Sequence, residues 1–294
     1  MDMLTYLHQH PALFLTYIGV LGLLIGSFLN VVILRLPVML ERQWRQECEA
    51  FVNNADVPAQ PIDSTAFNLI SPGSHCPKCK HPIRAWENIP VLSYLFLRGR
   101  CASCHTSIPL RYPLTEALAG ILSVIVAWHF GPGWQAAGAL LLTWTLITLS
   151  IIDIDHQILP DNITLPCLWL GLTLSLFNIY TDSHSAIIGA LLGYLSLWSI
   201  FQLFRLLTGK EGMGYGDFKL LALLGAWLGW QHLLTIVLMS SLVGAIIGIS
   251  MVMLRGHDRS IPIPFGPYLA IAGWITLLWG EDLFQFYLTW MGIK

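Results

Sequence analysis

Seven apolar runs dominate this 294-residue sequence, at residues 14–36, 114–130, 134–152, 163–180, 186–206, 233–254 and 264–279. Each approaches or exceeds the roughly 20 residues that an α-helix needs to cross a bilayer. An eighth run, at 218–230, is short and fits a tilted or half-inserted helix as well as a crossing. Only 11% of the residues are charged, against about 25% in soluble domains, so a water-soluble globule is excluded. The expected fold class is all-α: a polytopic membrane protein with about eight transmembrane helices. Residues 1–13 carry no Lys or Arg, and no small-residue cleavage site follows the first run, so a signal peptide is a poor reading.

Basic residues set the orientation of such a chain, because cytoplasmic loops retain them. Eight of the 15 Lys and Arg fall in one long loop, residues 38–113. With eight crossings and both termini outside, Arg35, that loop, Arg205, Lys210, Lys219, Arg255 and Arg259 share the inner side, and only Lys294 lies outside. The loop is therefore expected in the cytoplasm. The net charge is −2 and no basic run suggests nucleic acid.

Four of the six cysteines form two pairs in that loop, Cys76-Pro-Lys-Cys79 and Cys101-Ala-Ser-Cys104. Two CxxC knuckles can close a tetrahedral shell of four thiolates around zinc, as in a zinc ribbon. Two disulfides are the alternative, and a reducing cytoplasm favours the metal. Four thiolates fill the shell and leave no place for water, so the zinc reads as structural. His75, His81 and His105 flank the knuckles as substitute ligands. Cys48 and Cys167 lack partners at ligand spacing.

Acids in or beside apolar runs are expensive and mark functional candidates. Asp153 ends the third run in Ile152-Asp153-Ile154-Asp155-His156, and Asp217 stands just before the short run in Gly214-Tyr215-Gly216-Asp217. The topology above puts both at the cytoplasmic edge, where one carboxylate from each of two helices could form an aspartyl dyad. Such a pair shares one proton: the ionised partner deprotonates water and the protonated one hydrogen-bonds the scissile carbonyl. The plain alternative is that Asp153 and Asp155 only solvate a helix end. Asp161 sits where a helix N-cap is expected. Glu116 is a further intramembrane acid, with Arg111 as one candidate partner.

The sequence resembles the type IV prepilin peptidases, GxGD-type intramembrane aspartyl proteases. The resemblance rests on ordered motifs. These are Gly26-Ser27-Phe28-Leu29-Asn30, the two knuckles, Glu87-Asn88-Ile89-Pro90 between them, and Arg111-Tyr112-Pro113-Leu114-Thr115-Glu116. The Asp153–Asp161 segment, Gly214-Tyr215-Gly216-Asp217 and Pro264-Phe265-Gly266-Pro267 follow. It implies catalysis by Asp153, rather than Asp155, together with Asp217, with Gly214 and Gly216 supporting. It implies cleavage, after a glycine, of the cytoplasmic leader of type IV prepilins and type II secretion pseudopilins, in the bacterial inner membrane. Members with the cysteine-bearing loop look bifunctional, which implies S-adenosylmethionine as methyl donor for the new N-terminus; Glu87, Asn88, Gly99 and Arg100 are the candidate donor contacts. The implied organisation is a first transmembrane helix (1–37), a cytoplasmic four-cysteine zinc loop with the methyltransferase region (38–113) and the protease helices (114–294). Two rival classes are a transporter using the acids as a proton relay, and an assembly scaffold that uses the zinc loop to bind a partner.

Overall fold

The structure, a computed structural model, describes residues 3–52, 67–210, 212–255, 264–290 and 292; Arg259 and Lys294, used above for orientation, lie outside them. The helices are α1 (Met3–Gln9), α2 (Pro11–Val52), α3 (Leu92–Phe96), α4 (Arg111–Phe130), α5 (Trp134–His156), α6 (Asp161–Ser175), α7 (Ser183–Thr208), α8 (Tyr215–Leu228), α9 (Leu233–Arg255) and α10 (Gly266–Trp290). Two 3-10 turns, Ala85–Asn88 and Trp230–His232, join them. Among the described residues, five stretches are long and apolar enough to span a bilayer: Pro11–Val52, Arg111–Phe130, Trp134–His156, Ser183–Thr208 and Trp230–Ser250. The chain is an α-helical membrane protein.

Two helices that fall in the expected apolar runs, α6 and α8, are shorter than a crossing. α6 has 15 residues and α8 has 14, about 22 and 21 Å at 1.5 Å per residue, against a hydrocarbon core of about 30 Å. The apolar run at 163–180 is not all helix. It leaves α6 at Ser175, and Asn178 adopts a φ of 51° in the turn that follows. Hydropathy does not distinguish an apolar turn from an apolar helix.

The chain forms two compact units. The first, Gln9–Ile125, contains α2, the cysteine loop and most of α4. α2 has 42 residues, about 63 Å, so the expected span at 14–36 is only its first part. Its continuation past Pro37 is polar and largely exposed. Gly22 and Gly26 of α2 pack directly on α4: a Cβ on Gly26 would come within 2.7 Å of the Glu116 Cα, and one on Gly22 within 2.6 Å of the Ser123 Oγ. Small residues at four-residue spacing allow this close helix packing in lipid. The Arg35 guanidinium holds the return of the loop, donating to the carbonyls of Asn68 at 2.9 Å and Pro72 at 2.6 Å.

The second unit, Met1–His8 with Val126–Lys294, is built around α8. Between Asp217 and Leu228 all residues of α8 except Lys219 are buried. A helix that is apolar all round belongs inside a bundle, which accounts for a run too short to cross on its own. α7 packs on it backbone to backbone where Gly189 meets Gly225, and α6 anchors it where the Trp227 indole N–H donates to the Cys167 carbonyl at 2.9 Å.

Candidate active site and metal centre

Asp153 lies in the last turn of α5, 5% exposed, and its backbone carbonyl accepts the N–H of Gln157, the left-handed residue that ends the helix. Its side chain turns inward, whereas Asp155, two residues on, is exposed. The Asp153 Oδ2 accepts the backbone N–H of Gly266, the first residue of α10, at 3.1 Å. The next α10 residue is Pro267, which has no N–H, so Gly266 directs the leading donor of α10 onto this carboxylate. A helix N-terminus also carries partial positive charge, which favours an anion there.

Asp217 enters from the opposite partner helix, in the first turn of α8 and 7% exposed. Its approach depends on Gly216. A Cβ there would come within 2.8 Å of the Leu159 Cβ, so any side chain would push α8 off the turn that follows α5. Gly214 is different: it is the N-cap, with φ −80°, and a Cβ would meet nothing nearer than the Asp217 Oδ2 at 4.0 Å. The Asp153 and Asp217 carboxylates interact electrostatically and line one cavity of about 450 Å³. Gln157, Leu159, Met213 and Phe265 are among the other residues that line it.

Asp161 does not cap α6 as expected. Pro160 occupies the N-cap, and the Asp161 carboxylate instead takes both oxygens to the Lys219 Nζ at 2.7 Å, tying α6 to α8 two residues beyond Asp217. Sequence reasoning also assigned no role to Gly266, Leu159 or Phe265. The Pro264-Phe265-Gly266-Pro267 motif was the available signal, but a backbone donor leaves no mark of its target.

The four loop cysteines form a second centre. Their Sγ atoms lie within 4.8 Å of one another, with Cys76 to Cys104 at 3.8 Å and Cys79 to Cys101 at 4.0 Å. Tetrahedral zinc with Zn–S bonds of about 2.3 Å requires sulfurs about 3.8 Å apart, whereas a disulfide requires about 2.0 Å. The donor set therefore fits zinc. The knuckles repeat each other bond for bond. Cys76 N–H donates to the His81 carbonyl and Lys80 N–H to that of Cys76, as Cys101 does to Thr106 and His105 to Cys101. Single bridges, His75 to Pro82 and Arg100 to Ser107, close each one, and Lys80 and His105 turn the chain with φ of 60° and 56°. His81 faces the Glu87 carboxylate at 3.3 Å instead of the sulfurs.

The electrostatics of the cluster call for a cation. The Thr106 hydroxyl and backbone N–H pull the Cys104 thiol down to about 6, and the backbone N–H groups of Cys79 and Lys78 lower that of Cys76. Cys79 also receives the His81 N–H, which lowers it, but burial and the neighbouring sulfurs push it up to about 11. Several thiolates in one shell repel one another until a metal neutralises them.

The other loop candidates split into two kinds. The Glu87 carboxylate accepts the Arg84 backbone N–H at 3.0 Å, closing a capping box on the Ala85–Asn88 turn, and that bond holds its carboxyl below the usual range. Gly99 is buried with φ 67°, and a Cβ would meet the Tyr94 hydroxyl at 2.8 Å. Asn88 and Arg100 present exposed side chains.

Residues 20–130 match the bacterial peptidase A24 N-terminal domain, and residues 140–249 match the type IV leader peptidase family. Over 294 residues, covering 100% of both chains, the sequence is 55% identical to a prepilin leader peptidase/N-methyltransferase of Pseudomonas aeruginosa. The chain belongs to the type IV leader peptidase family. Relatives of the same description from Aeromonas salmonicida and Xanthomonas campestris are 56% and 48% identical, over 96% of both chains and over 99% of this chain and 100% of the relative, respectively. No solved structure matches this leader peptidase family member significantly. The second match includes both Asp153 and Asp217.

Proposed function

We propose that this protein is a bifunctional enzyme of the bacterial inner membrane. It removes the cytoplasmic leader of type IV prepilins and type II secretion pseudopilins after a glycine, and methylates the new N-terminus. The observation that carries the protease reading is the pair of buried carboxylates, Asp153 and Asp217, from separate helices lining one cavity. One proton is shared between them. The ionised carboxylate takes a proton from water as the water oxygen attacks the scissile carbonyl carbon, and the protonated one donates a hydrogen bond to the carbonyl oxygen. The tetrahedral intermediate collapses when the leaving amine takes up a proton from the dyad, leaving a free leader carboxyl and a free pilin amine. The pilin helix is itself about one span long, so it reaches the site laterally through the bilayer.

In this reading the zinc loop lies in the cytoplasm and Cys76, Cys79, Cys101 and Cys104 hold a structural zinc. Such a metal closes a loop that has little apolar core of its own. S-adenosylmethionine supplies the methyl group when bound. Arg100 suits the donor's carboxylate, Asn88 offers an amide, and Glu87 and Gly99 shape the turns that carry them. The same organisation assigns residues 38–113 to methyl transfer and 114–294 to proteolysis. A proton-relay transporter is not favoured, since a relative 55% identical over the whole chain is named prepilin leader peptidase/N-methyltransferase.

The test is a purified full-length protein incubated with a prepilin, with leader loss and methyl gain read by mass. Asp153→Asn and Asp217→Asn each lower cleavage by about 10²–10⁴-fold if the dyad is correct. Cleavage at the parental rate in either variant removes that residue from the chemistry.

A further inference from the structure

Glu116 is a buried acid that neither the dyad nor the cysteine cluster uses. It lies in the second turn of α4, 8% exposed, held against α2 by the close approach at Gly26. Its Oε2 accepts the backbone N–H of Val91, 25 residues earlier in the chain, at 2.8 Å. That partner is itself unusual. Val91 has φ 60° and ψ −47°, and a β-branched residue at positive φ is a genuine outlier.

The Leu92 N–H donates to the Pro90 carbonyl at 2.6 Å, so Val91 sits at the centre of a three-residue γ-turn of the rare, strained hand. Strain of this kind persists only where the surroundings over-determine it, and it gathers at functional sites. Val91 is also the N-cap of α3 and stands three residues after the Ala85–Asn88 turn. Its backbone angles therefore set the direction of α3, and of the chain leading to Gly99 and Arg100, relative to Glu87 and Asn88.

We propose that Glu116 is a positioning residue for methyl transfer: its hydrogen bond to Val91 clamps the strained turn and so fixes the donor-binding segment 87–100. The inference rests on the bifunctional reading above and deepens it. It explains an acid placed in an apolar helix at considerable cost, and it joins that helix to the loop through a polar contact. Proteolysis does not depend on it.

The experiment compares the full-length parent with Glu116→Leu, Glu116→Gln and the double variant Glu116→Leu, Val91→Gly. Each is assayed for cleavage rate, for methylation at varied S-adenosylmethionine, and for bound zinc. Leucine fills the space without accepting a hydrogen bond. It is expected to raise the KM for the methyl donor at least tenfold while cleavage and zinc content stay at parental values. Glutamine keeps a carbonyl oxygen and is expected within threefold of the parent. Glycine at 91 adopts the positive φ without a Cβ penalty, so the double variant is expected to recover most of the loss.

Parental methylation kinetics in Glu116→Leu would overturn the inference. So would a proportionate fall in cleavage, methylation and zinc, which is the mark of a general structural role. A parent that cleaves but adds no methyl group instead overturns the bifunctional reading, and the inference with it.

Discussion

Replacing Gly266 with alanine tests whether the α10 N-terminus aims the Asp153 carboxylate, the proposed catalytic group. An added Cβ would lie 2.6 Å from the Asp153 Oδ2 and 3.2 Å from its Cγ. Restoring an ordinary contact of about 3.4 Å moves the carboxylate by roughly 0.8 Å. A displacement of about 1 Å in a reacting group costs about 10²-fold in rate. The same movement breaks the 3.1 Å bond from the Gly266 N–H, and a hydrogen bond to a charged group contributes about 1.5–3 kcal/mol, or roughly 10–150-fold. These are two views of one displacement and do not add. The expected result is a kcat for prepilin cleavage about 100-fold below the parent. KM should stay within about threefold if the displaced carboxylate acts in the chemical step and not in substrate binding. The assay is initial-rate cleavage over a range of prepilin concentrations, with methylation of already cleaved pilin in the same preparation as the check on folding. A Gly266→Ala enzyme with parental kcat, or one that loses both activities together, would refute the reasoning.

The two motif glycines should behave unequally. Gly216→Ala is expected to lower cleavage about tenfold or more, since its Cβ meets the Leu159 Cβ at 2.8 Å and overpacking costs about 1–3 kcal/mol. Gly214→Ala, with no atom inside 4.0 Å, should stay within about threefold; equal losses at both positions would contradict the packing account. Zinc affinity should rise with pH, because the metal binds thiolates and protons compete for the same sulfurs. Protonation of the shell is complete only once the most acidic thiol, Cys104 at about 6, is protonated. Competition with a chelator from pH 8 to pH 5 should therefore show progressive zinc loss, and an affinity independent of pH would rule out a thiolate site.

Much of the molecule was legible from residues alone because the signals are local. A helix in lipid must satisfy its own backbone, so long apolar runs declare both solvent and secondary structure. CxxC spacing places two sulfurs on one knuckle whatever surrounds it, and the structure brings both knuckles to tetrahedral distance. The two aspartates stood out because acids are so scarce in apolar segments. Run lengths were less reliable. The 163–180 run divides into α6 and a turn, and the 14–36 run is the first part of a helix that ends at Val52.

What only the tertiary structure decided are the pairings across long stretches of chain. The Gly266 N–H reaches Asp153 across 113 residues, Lys219 reaches Asp161 across 58, and Glu116 finds Val91 across 25. None has a periodic signature: two of these bonds use a backbone N–H, which every residue except proline carries. The Asp153 side chain is buried beside the cavity while Asp155 is exposed, a choice made by the rotation of α5 against its neighbours. Composition and spacing placed the chain in a membrane and marked its rare polar residues. Packing selected which of those residues meet, because a buried polar group must find a partner and only the folded helices determine which one is within reach.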